Sequence, residues 1–142
     1  MDPAKILLVD DTAEIRTLVR RILVNQGYQV VEACDAESAL AACRRAKGKI
    51  DLLLTDIKMP GMDGIELASS LTASYPAIQL LFVSGQCDES EIRDRISEHG
   101  FGFLSKPFMP QLLIEAVKEI LGSVKRPPQA SGAVKKKRRH IG

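Results

Sequence analysis

Five short apolar runs are spaced along the chain, and a longer segment of mixed character follows each one. The runs are mostly continuous and do not alternate strictly between apolar and polar residues. This pattern is typical of strands in a parallel sheet that is covered on both faces. The predicted strands are KILLV (5–9), YQVVEA (28–33), DLLLT (51–55), IQLLFVS (78–84) and FGFLS (101–105).

The segments between and after these runs carry apolar residues at helical spacing, with glycine at several predicted ends. The helix predicted over about 88–99, DESEIRDRISEH, differs because its apolar residues are mainly Ile92 and Ile96. So thin an apolar face predicts a helix held loosely on the surface. The other predicted helices run along Ile15–Leu23 with a stop at Gly27, over 36–46 with an end near Gly48, over about 63–72, and along Leu113–Leu121 with an end at Gly122.

Five strand–helix units predict an α/β fold with right-handed crossovers and helices on both faces of the sheet. With five parallel strands, the leading candidate is a flavodoxin-like, doubly wound (βα)5 domain with strand order 2-1-3-4-5. In such sheets ligands bind beyond the carboxyl ends of the strands, where the strand order reverses. That point lies between the first and third strands.

Polar residues follow four of the predicted strands at this edge: Asp10 and Asp11, Asp56, Ser84, and Lys106. Three neighbouring carboxylates repel one another and require a cation. Because the ligands are all oxygens, a hard ion, Mg²⁺ or Mn²⁺, is favoured. A divalent ion, an ammonium and a hydroxyl together suit a phosphoryl group, and a carboxylate facing its phosphorus can form an acyl phosphate.

Each of these residues also has a plainer interpretation. Asp11, with Glu14 three residues later, resembles a capping box, whereas Asp10 has no evident capping role. Ser84 alone would be a turn residue and Lys106 alone a solvated lysine. Asp63, before Gly64, is expected to cap the third helix. The joint placement at the strand ends therefore carries the functional hypothesis.

Length and charge divide the chain into one domain and a tail. The chain has 142 residues, and seven of its 20 Lys and Arg residues but none of its 18 acids lie in 125–142. The predicted domain, 1–124, therefore has 13 basic against 18 acidic residues and is acidic overall. Pro127 and Pro128 mark the start of a flexible basic tail.

The function classes open to the tail are limited. Its block Lys135–Arg139 could bind nucleic acid or another anionic surface. However, it contains no aromatic residue for base stacking and no helix-turn-helix follows the domain. We therefore expect no nucleic-acid partner, and a disordered, solubilising tail is the simpler alternative.

Several features predict a cytoplasmic protein that has no membrane association. No apolar stretch approaches ~20 residues, and the start lacks the basic flank and cleavage site of a secretory signal. Three cysteines without a CxxC motif favour free thiols.

The residues at the strand ends resemble the receiver domains of two-component response regulators over about 4–122. The resemblance rests on four motifs in the family's order and spacing. They are LLVDD (7–11), TDIKMPGMDG (55–64), FVSG (82–85) and FLSKPF (103–108).

The resemblance implies a role for each site residue. Asp56 corresponds to the phosphoacceptor, and Asp10 and Asp11 to the acidic pair that binds Mg²⁺ with the backbone carbonyl of Lys58. Ser84 and Lys106 correspond to the residues that bind the phosphoryl oxygens. Phe103 corresponds to the aromatic switch residue, although core packing would equally explain it, and the Lys106–Pro107 bond is expected to be cis.

The same resemblance implies a signalling module and not an enzyme. A sensor histidine kinase or histidine phosphotransfer protein would donate the phosphoryl group. Phosphorylation would draw Ser84 toward Asp56, turn Phe103 inward and reshape the surface of the fourth helix, fifth strand and fifth helix. An unidentified downstream protein, or a second copy in a phosphorylation-dependent homodimer, would bind that surface.

Two other functions remain open at this point. Haloacid-dehalogenase-type hydrolases also use an Asp nucleophile with Mg²⁺, but they need a second acid where this chain has Lys58. An unphosphorylated scaffold would not need the complete set of acids, hydroxyl and lysine. The position of Met1 and the tail favour a single-domain protein over a fragment of a hybrid kinase.

Overall fold

The computed structural model describes residues 3–85, 89–96 and 100–125. Within them, five strands alternate with five helices, as the apolar pattern predicts. Each observed strand lies within one residue of its predicted bounds. The strands are β1 (Lys5–Val9), β2 (Gln29–Ala33), β3 (Leu52–Asp56), β4 (Gln79–Ser84) and β5 (Gly102–Ser105).

The strands form one parallel sheet in the order β2-β1-β3-β4-β5, which confirms the predicted order. In its register Val9 pairs with Thr55, Asp56 with Val83, and Ser84 with Ser105. The ends of four strands are therefore level, and the residues that follow them meet at one edge.

Helices cover both faces of the sheet. The first and fifth pack on one face through a core that includes Val19, Leu23 and Leu113. The other three pack on the opposite face, where Leu67 and Ile92 belong to the second core. The helices are α1 (Ala13–Asn25), α2 (Ala36–Arg45), α3 (Gly64–Ser74), α4 (Glu89–Arg95) and α5 (Pro110–Lys125).

Two of the glycines predicted to stop helices do so, and one does not. Gly27 and Gly48 have φ angles of 94° and 75°, a conformation that glycine adopts without strain, and they follow α1 and α2. The predicted end of α5 at Gly122 is wrong because the helix continues to Lys125. A glycine ends a helix only where the backbone turns, and Gly122 is not among the glycines with positive φ.

Some predictions fall outside the described residues. These include Cys87 and the basic tail beyond Lys125. Cys34 and Cys43, the two cysteines that the structure describes, are free thiols. None of the described helices is long and apolar enough to cross a membrane.

Helix α4 has a thin apolar face within the described residues, as its sequence predicts. Ile92 is fully buried and Ile96, just after the helix, is 7% exposed. Arg95 adds a polar contact, since its guanidinium donates to both oxygens of Asp63 at 2.8 and 3.1 Å. Asp63 is also the predicted N-cap of α3, in a complete capping box with Glu66. One carboxylate thus joins α3 to α4.

Replacing Arg95 by alanine is expected to loosen α4 selectively. A partly exposed bidentate pair contributes on the order of 1 kcal/mol, so amide exchange within α4 should speed up roughly fivefold. Arg93→Ala is the matched control because, among the described residues, Arg93 forms its ion pair along the helix, with Glu89 at 2.9 Å. Hydrogen exchange followed by NMR measures both. Equal acceleration in the two variants would contradict an anchoring role for Arg95.

Candidate functional site

The candidate site lies at the carboxyl edge of the sheet, around Asp56 at the end of β3. The strand before it is fully covered, and the Asp56 side chain itself is only 11% exposed. Its main-chain carbonyl accepts a hydrogen bond from the Thr55 hydroxyl at 2.8 Å. A parallel strand buried on both faces thus delivers a carboxylate to the edge with little access to water.

Asp10 and Asp11 meet Asp56 as predicted. One carboxylate oxygen from each of the three residues lies within 4.8 Å of the others. Asp10 is 3% exposed, and its carboxylate accepts a hydrogen bond from the Thr12 N–H at 2.9 Å. The Asp11 side chain is in the more open position.

The structure changes both capping interpretations made for this acidic pair. Thr12, not Asp11, is the N-cap of α1, so the proposed capping box of Asp11 with Glu14 is wrong. Asp10 does bind a backbone N–H, that of Thr12, although no such role was predicted. The helix begins one residue later than the capping pattern suggests, and Asp11 is therefore not used as its N-cap.

Lys106 bridges two of the acids from the end of β5. Its Nζ lies 3.2 Å from Asp10 Oδ2 and 3.3 Å from Asp56 Oδ2. Its main-chain N–H donates to the Ser84 carbonyl at 3.0 Å, which ties the ends of β4 and β5 together. The Lys106–Pro107 peptide bond is cis, as predicted.

Burial and neighbouring charges shift the pKa values of Asp56 and Lys106 in opposite directions. Burial raises the pKa of Asp56 above its usual value, and the neighbouring Asp10 adds to this, while Lys106 opposes it. For Lys106, burial lowers the pKa, but the Asp56 and Asp10 carboxylates outweigh it and leave the pKa raised. The Lys106 ammonium therefore stays charged at neutral pH. Its charge does not fully offset the effect of burial on Asp56, whose pKa remains raised.

Asp56→Asn is expected to stabilise the metal-free protein at neutral pH. Because the pKa of Asp56 is raised on folding, ionising it costs more in the folded state, and stability is lost as pH rises through that pKa. Below about pH 3.9 the acid is neutral in both states and the advantage of Asn disappears. We expect a gain of ~1 kcal/mol at pH 7.

Urea denaturation between pH 4 and 7 measures the gain, with Asp94→Asn on the exposed surface of α4 as the control. A gain that does not depend on pH would contradict this origin.

The donor set fits a hard divalent cation. The cluster consists of carboxylates alone, and oxygen ligands are those that Mg²⁺ and Mn²⁺ prefer. Lys58 lies two residues after Asp56, in the exposed loop that leads to α3. The use of its main-chain carbonyl as a ligand stays a prediction.

Ser84 and Phe103 are buried residues of the neighbouring strands β4 and β5. Ser84 ends β4 and is 1% exposed. Phe103 pairs with Phe82 in the sheet register, is 3% exposed and belongs to the core shared with α4. Its side chain therefore lies inside the protein.

Two contacts at the site were not predicted. The Arg16 guanidinium donates to the Asp10 carbonyl at 2.6 Å. Gly64 lies so close to Asp56 that a Cβ built on it would be 2.1 Å from the Asp56 carbonyl oxygen. In the sequence, Gly64 is the last residue of the motif TDIKMPGMDG (55–64), a position that predicts the start of the third helix but not a contact with Asp56.

Comparison with known proteins agrees with the geometry. The family model described as "Response regulator receiver domain" matches residues 6–118. The chemotaxis protein CheY of Listeria monocytogenes is 30% identical over 116 residues, which cover 81% of this chain and 96% of that protein. The receiver domain protein of Methanospirillum hungatei, described as CheY-like, has a TM-score of 0.80 at 29% identity, covering 87% and 98% of the two chains.

A further relative shows that such domains also occur inside much longer proteins. The sensor kinase CckA of Brucella abortus is 37% identical over 118 residues, which are 83% of this chain but 12% of the kinase. The match is thus to one module of that protein. The five-stranded fold, the acidic edge and the family model agree: this chain belongs to the response regulator receiver domain family of two-component signalling.

Proposed function

We propose that this chain is a phosphorylation-controlled switch, in which Asp56 accepts a phosphoryl group from the phosphohistidine of a sensor histidine kinase or a histidine phosphotransfer protein. The observation that carries the proposal is the position of Asp56 at 3.3 Å from the Lys106 ammonium and within 4.8 Å of two further acids. Such a site accommodates cation, phosphoryl oxygens and nucleophile together.

The residues divide the chemistry among them. A Mg²⁺ ion held by Asp10, Asp11, Asp56 and the Lys58 carbonyl would neutralise the acids and the incoming phosphoryl oxygens. One Asp56 carboxylate oxygen attacks phosphorus while the bond from phosphorus to the donor's imidazole nitrogen breaks, and the bonding electrons return to that nitrogen. The Lys106 ammonium and the Ser84 hydroxyl bind oxygens of the transferred group, and the product is an acyl phosphate.

The switch acts through the surface formed by α4, β5 and α5. Helix α4 is held mainly by Ile92, Ile96 and the Arg95–Asp63 contact, so a small change beneath it can move it. Phe103 is 3% exposed and belongs to the core that it shares with α4. In the proposed mechanism its side chain passes the shift of Ser84 toward phosphorylated Asp56 on to that helix.

The output is a change in partner binding. We infer a downstream protein, or a second copy of the chain, that binds the α4–β5–α5 surface differently after phosphorylation. The module acts in signalling and not as an enzyme on a separate substrate, and its site of action is the cytoplasm, where the proposed phosphodonors operate. Binding of nucleic acid or another anionic surface by the basic tail stays an alternative function, since 126–142 lie outside the described residues.

Intact-mass analysis after incubation with acetyl phosphate and Mg²⁺ tests the proposal. We expect one adduct of about 80 Da on the wild type and none on Asp56→Asn. Asp51→Asn is the control because Asp51 precedes the opposite end of β3, where it accepts a hydrogen bond from the Lys5 N–H at 2.8 Å. It should be modified like the wild type, and hydroxylamine should remove the adduct as expected for an acyl phosphate.

Two results would refute the phosphoacceptor assignment. One is an adduct that persists on Asp56→Asn. The other is a wild type that stays unmodified both with acetyl phosphate and with a phosphorylated histidine kinase. The second result would favour an unphosphorylated scaffold.

A further inference from the structure

The backbone of Asp10 is held from both sides. Its N–H donates to the Ala33 carbonyl of β2 at 3.2 Å, and its carbonyl accepts from Arg16 Nη1 at 2.6 Å. Arg16 lies on α1, one turn into the helix, and its side chain is 19% exposed. The helix that follows the acidic pair thus reaches back to fix the peptide group between its two members.

Arg16 is itself anchored by a carboxylate on the neighbouring strand. Its Nε lies 3.4 Å from Glu32 Oε1, while Arg20 Nε lies 3.2 Å from Glu32 Oε2. Glu32 pairs with Leu8 in the sheet register, two residues before Asp10. Because Arg has a planar fork of donors, Arg16 contacts Glu32 and the Asp10 carbonyl at the same time, a geometry that lysine cannot reproduce.

The orientation of this peptide group decides where the two carboxylates point. Rotating it would move the Asp11 Cα and break the contact of the Asp10 carboxylate with the Thr12 N–H at 2.9 Å. Both acids would then leave the positions in which their oxygens lie within 4.8 Å of Asp56. Side chains that orient metal ligands from behind typically change metal affinity by ~10–100-fold when they are removed.

We propose that Arg16 is a positioning residue of the acidic site, which sets its affinity for a divalent cation by fixing the peptide between Asp10 and Asp11. This inference rests on the metal-binding role given to the cluster in the proposed function. Arg16 touches neither the cation nor the phosphoryl group and acts through the Asp10 carbonyl. Arg20, which binds the same Glu32 without reaching Asp10, has no such role.

Isothermal titration of Mg²⁺ into the unphosphorylated 142-residue chain tests this. Arg16→Met keeps the apolar stem and removes the donors, and we expect its Kd to rise about tenfold. Arg20→Met removes an ion pair from the same carboxylate and should stay within about twofold of the wild type. Arg16→Lys restores the charge and a single donor nitrogen, so its Kd should lie between those of Arg16→Met and the wild type.

The readouts separate the possible outcomes. A wild type that does not bind Mg²⁺ would remove the metal site itself and the proposed function with it. A wild type that binds, with Arg16→Met and Arg20→Met equal in Kd, would overturn only the inference. If Arg16→Met does not fold, Glu32→Gln decides: weaker Mg²⁺ binding than in Arg20→Met supports the positioning role, and equal binding overturns it.

Discussion

Lys106→Ala is expected to slow the phosphorylation of Asp56 about 100-fold while binding Mg²⁺ more tightly than the wild type. The two effects have opposite signs because the ammonium has two roles. With Asp56 free, it lies 3.2–3.3 Å from Asp10 and Asp56 and partly neutralises them. During transfer, it would instead contact phosphoryl oxygens, where charge increases on the way to the transition state.

Removing the ammonium therefore leaves the acids with the cation as their main source of neutralisation. Their mutual repulsion strengthens cation binding, whereas the phosphoryl group loses a charged donor in a site where water is scarce. Initial rates of adduct formation with acetyl phosphate at saturating Mg²⁺ measure the first effect, and calorimetric titration measures the second.

Lys58→Ala is the matched control for this experiment. It removes a lysine beside the site but keeps the main-chain carbonyl that is assigned to the metal, so rate and affinity should both stay close to wild type. A Lys106→Ala protein that is phosphorylated at the wild-type rate would refute the transfer role. Weaker Mg²⁺ binding in Lys106→Ala than in the wild type would show that Lys106 holds the carboxylates in place for the cation instead of competing with the cation for them.

The fold was predictable because its signals are local. Each strand is an apolar run, and right-handed crossovers with short connections leave few arrangements for five such units. The predicted order 2-1-3-4-5 places Asp10, Asp56 and Lys106 at one edge of the sheet, and the structure brings them together. The end of α5 was not predictable from Gly122, because glycine permits a turn without requiring one.

The contacts that hold the site together were less accessible to sequence reasoning. Arg95 reaches Asp63 across 32 residues, and their meeting depends on how α4 packs on the sheet. Arg16 lies six residues from Asp10 and has the pattern of an ordinary exposed helix charge. Side-chain direction and the exact start of α1 decide these contacts, and neither has a clear sequence signature. Strand ends therefore predict which groups meet, but not what supports them.

Gly64→Ala is expected to destabilise the protein by on the order of 3 kcal/mol, although alanine is the better helix former. Propensity alone would favour the substitution by up to ~1 kcal/mol at an ordinary helical position. Here the new Cβ would lie 2.1 Å from the Asp56 carbonyl oxygen and 3.0 Å from the Asp56 carbonyl carbon and the Ile57 Cα. All three are backbone atoms, so no side-chain rotation relieves the overlap, and packing outweighs propensity.

The same overlap should damage the site. Gly64 N–H donates to the Ile57 carbonyl at 2.9 Å, so the start of α3 is fastened to the strand end that carries Asp56. Moving the start of α3 away from the end of β3 would displace the Asp56 carboxylate from Lys106. We therefore expect slower phosphorylation by acetyl phosphate, together with a decrease in Tm of roughly 10 °C.

Gly122→Ala is the matched control, since that glycine lies within α5 and, in the part of the chain that the structure describes, no packing atom lies within 4 Å of a built Cβ. Its free energy of unfolding should rise by ~0.5–1 kcal/mol, the ordinary effect of replacing glycine by alanine in a helix. Urea denaturation should therefore show a decrease in the free energy of unfolding for Gly64→Ala and an increase for Gly122→Ala, although the substitution is the same. If Gly64→Ala were as stable as the wild type and still phosphorylated, the start of α3 could withdraw from Asp56 at little cost. The close approach would then be incidental and not a support of the phosphoacceptor.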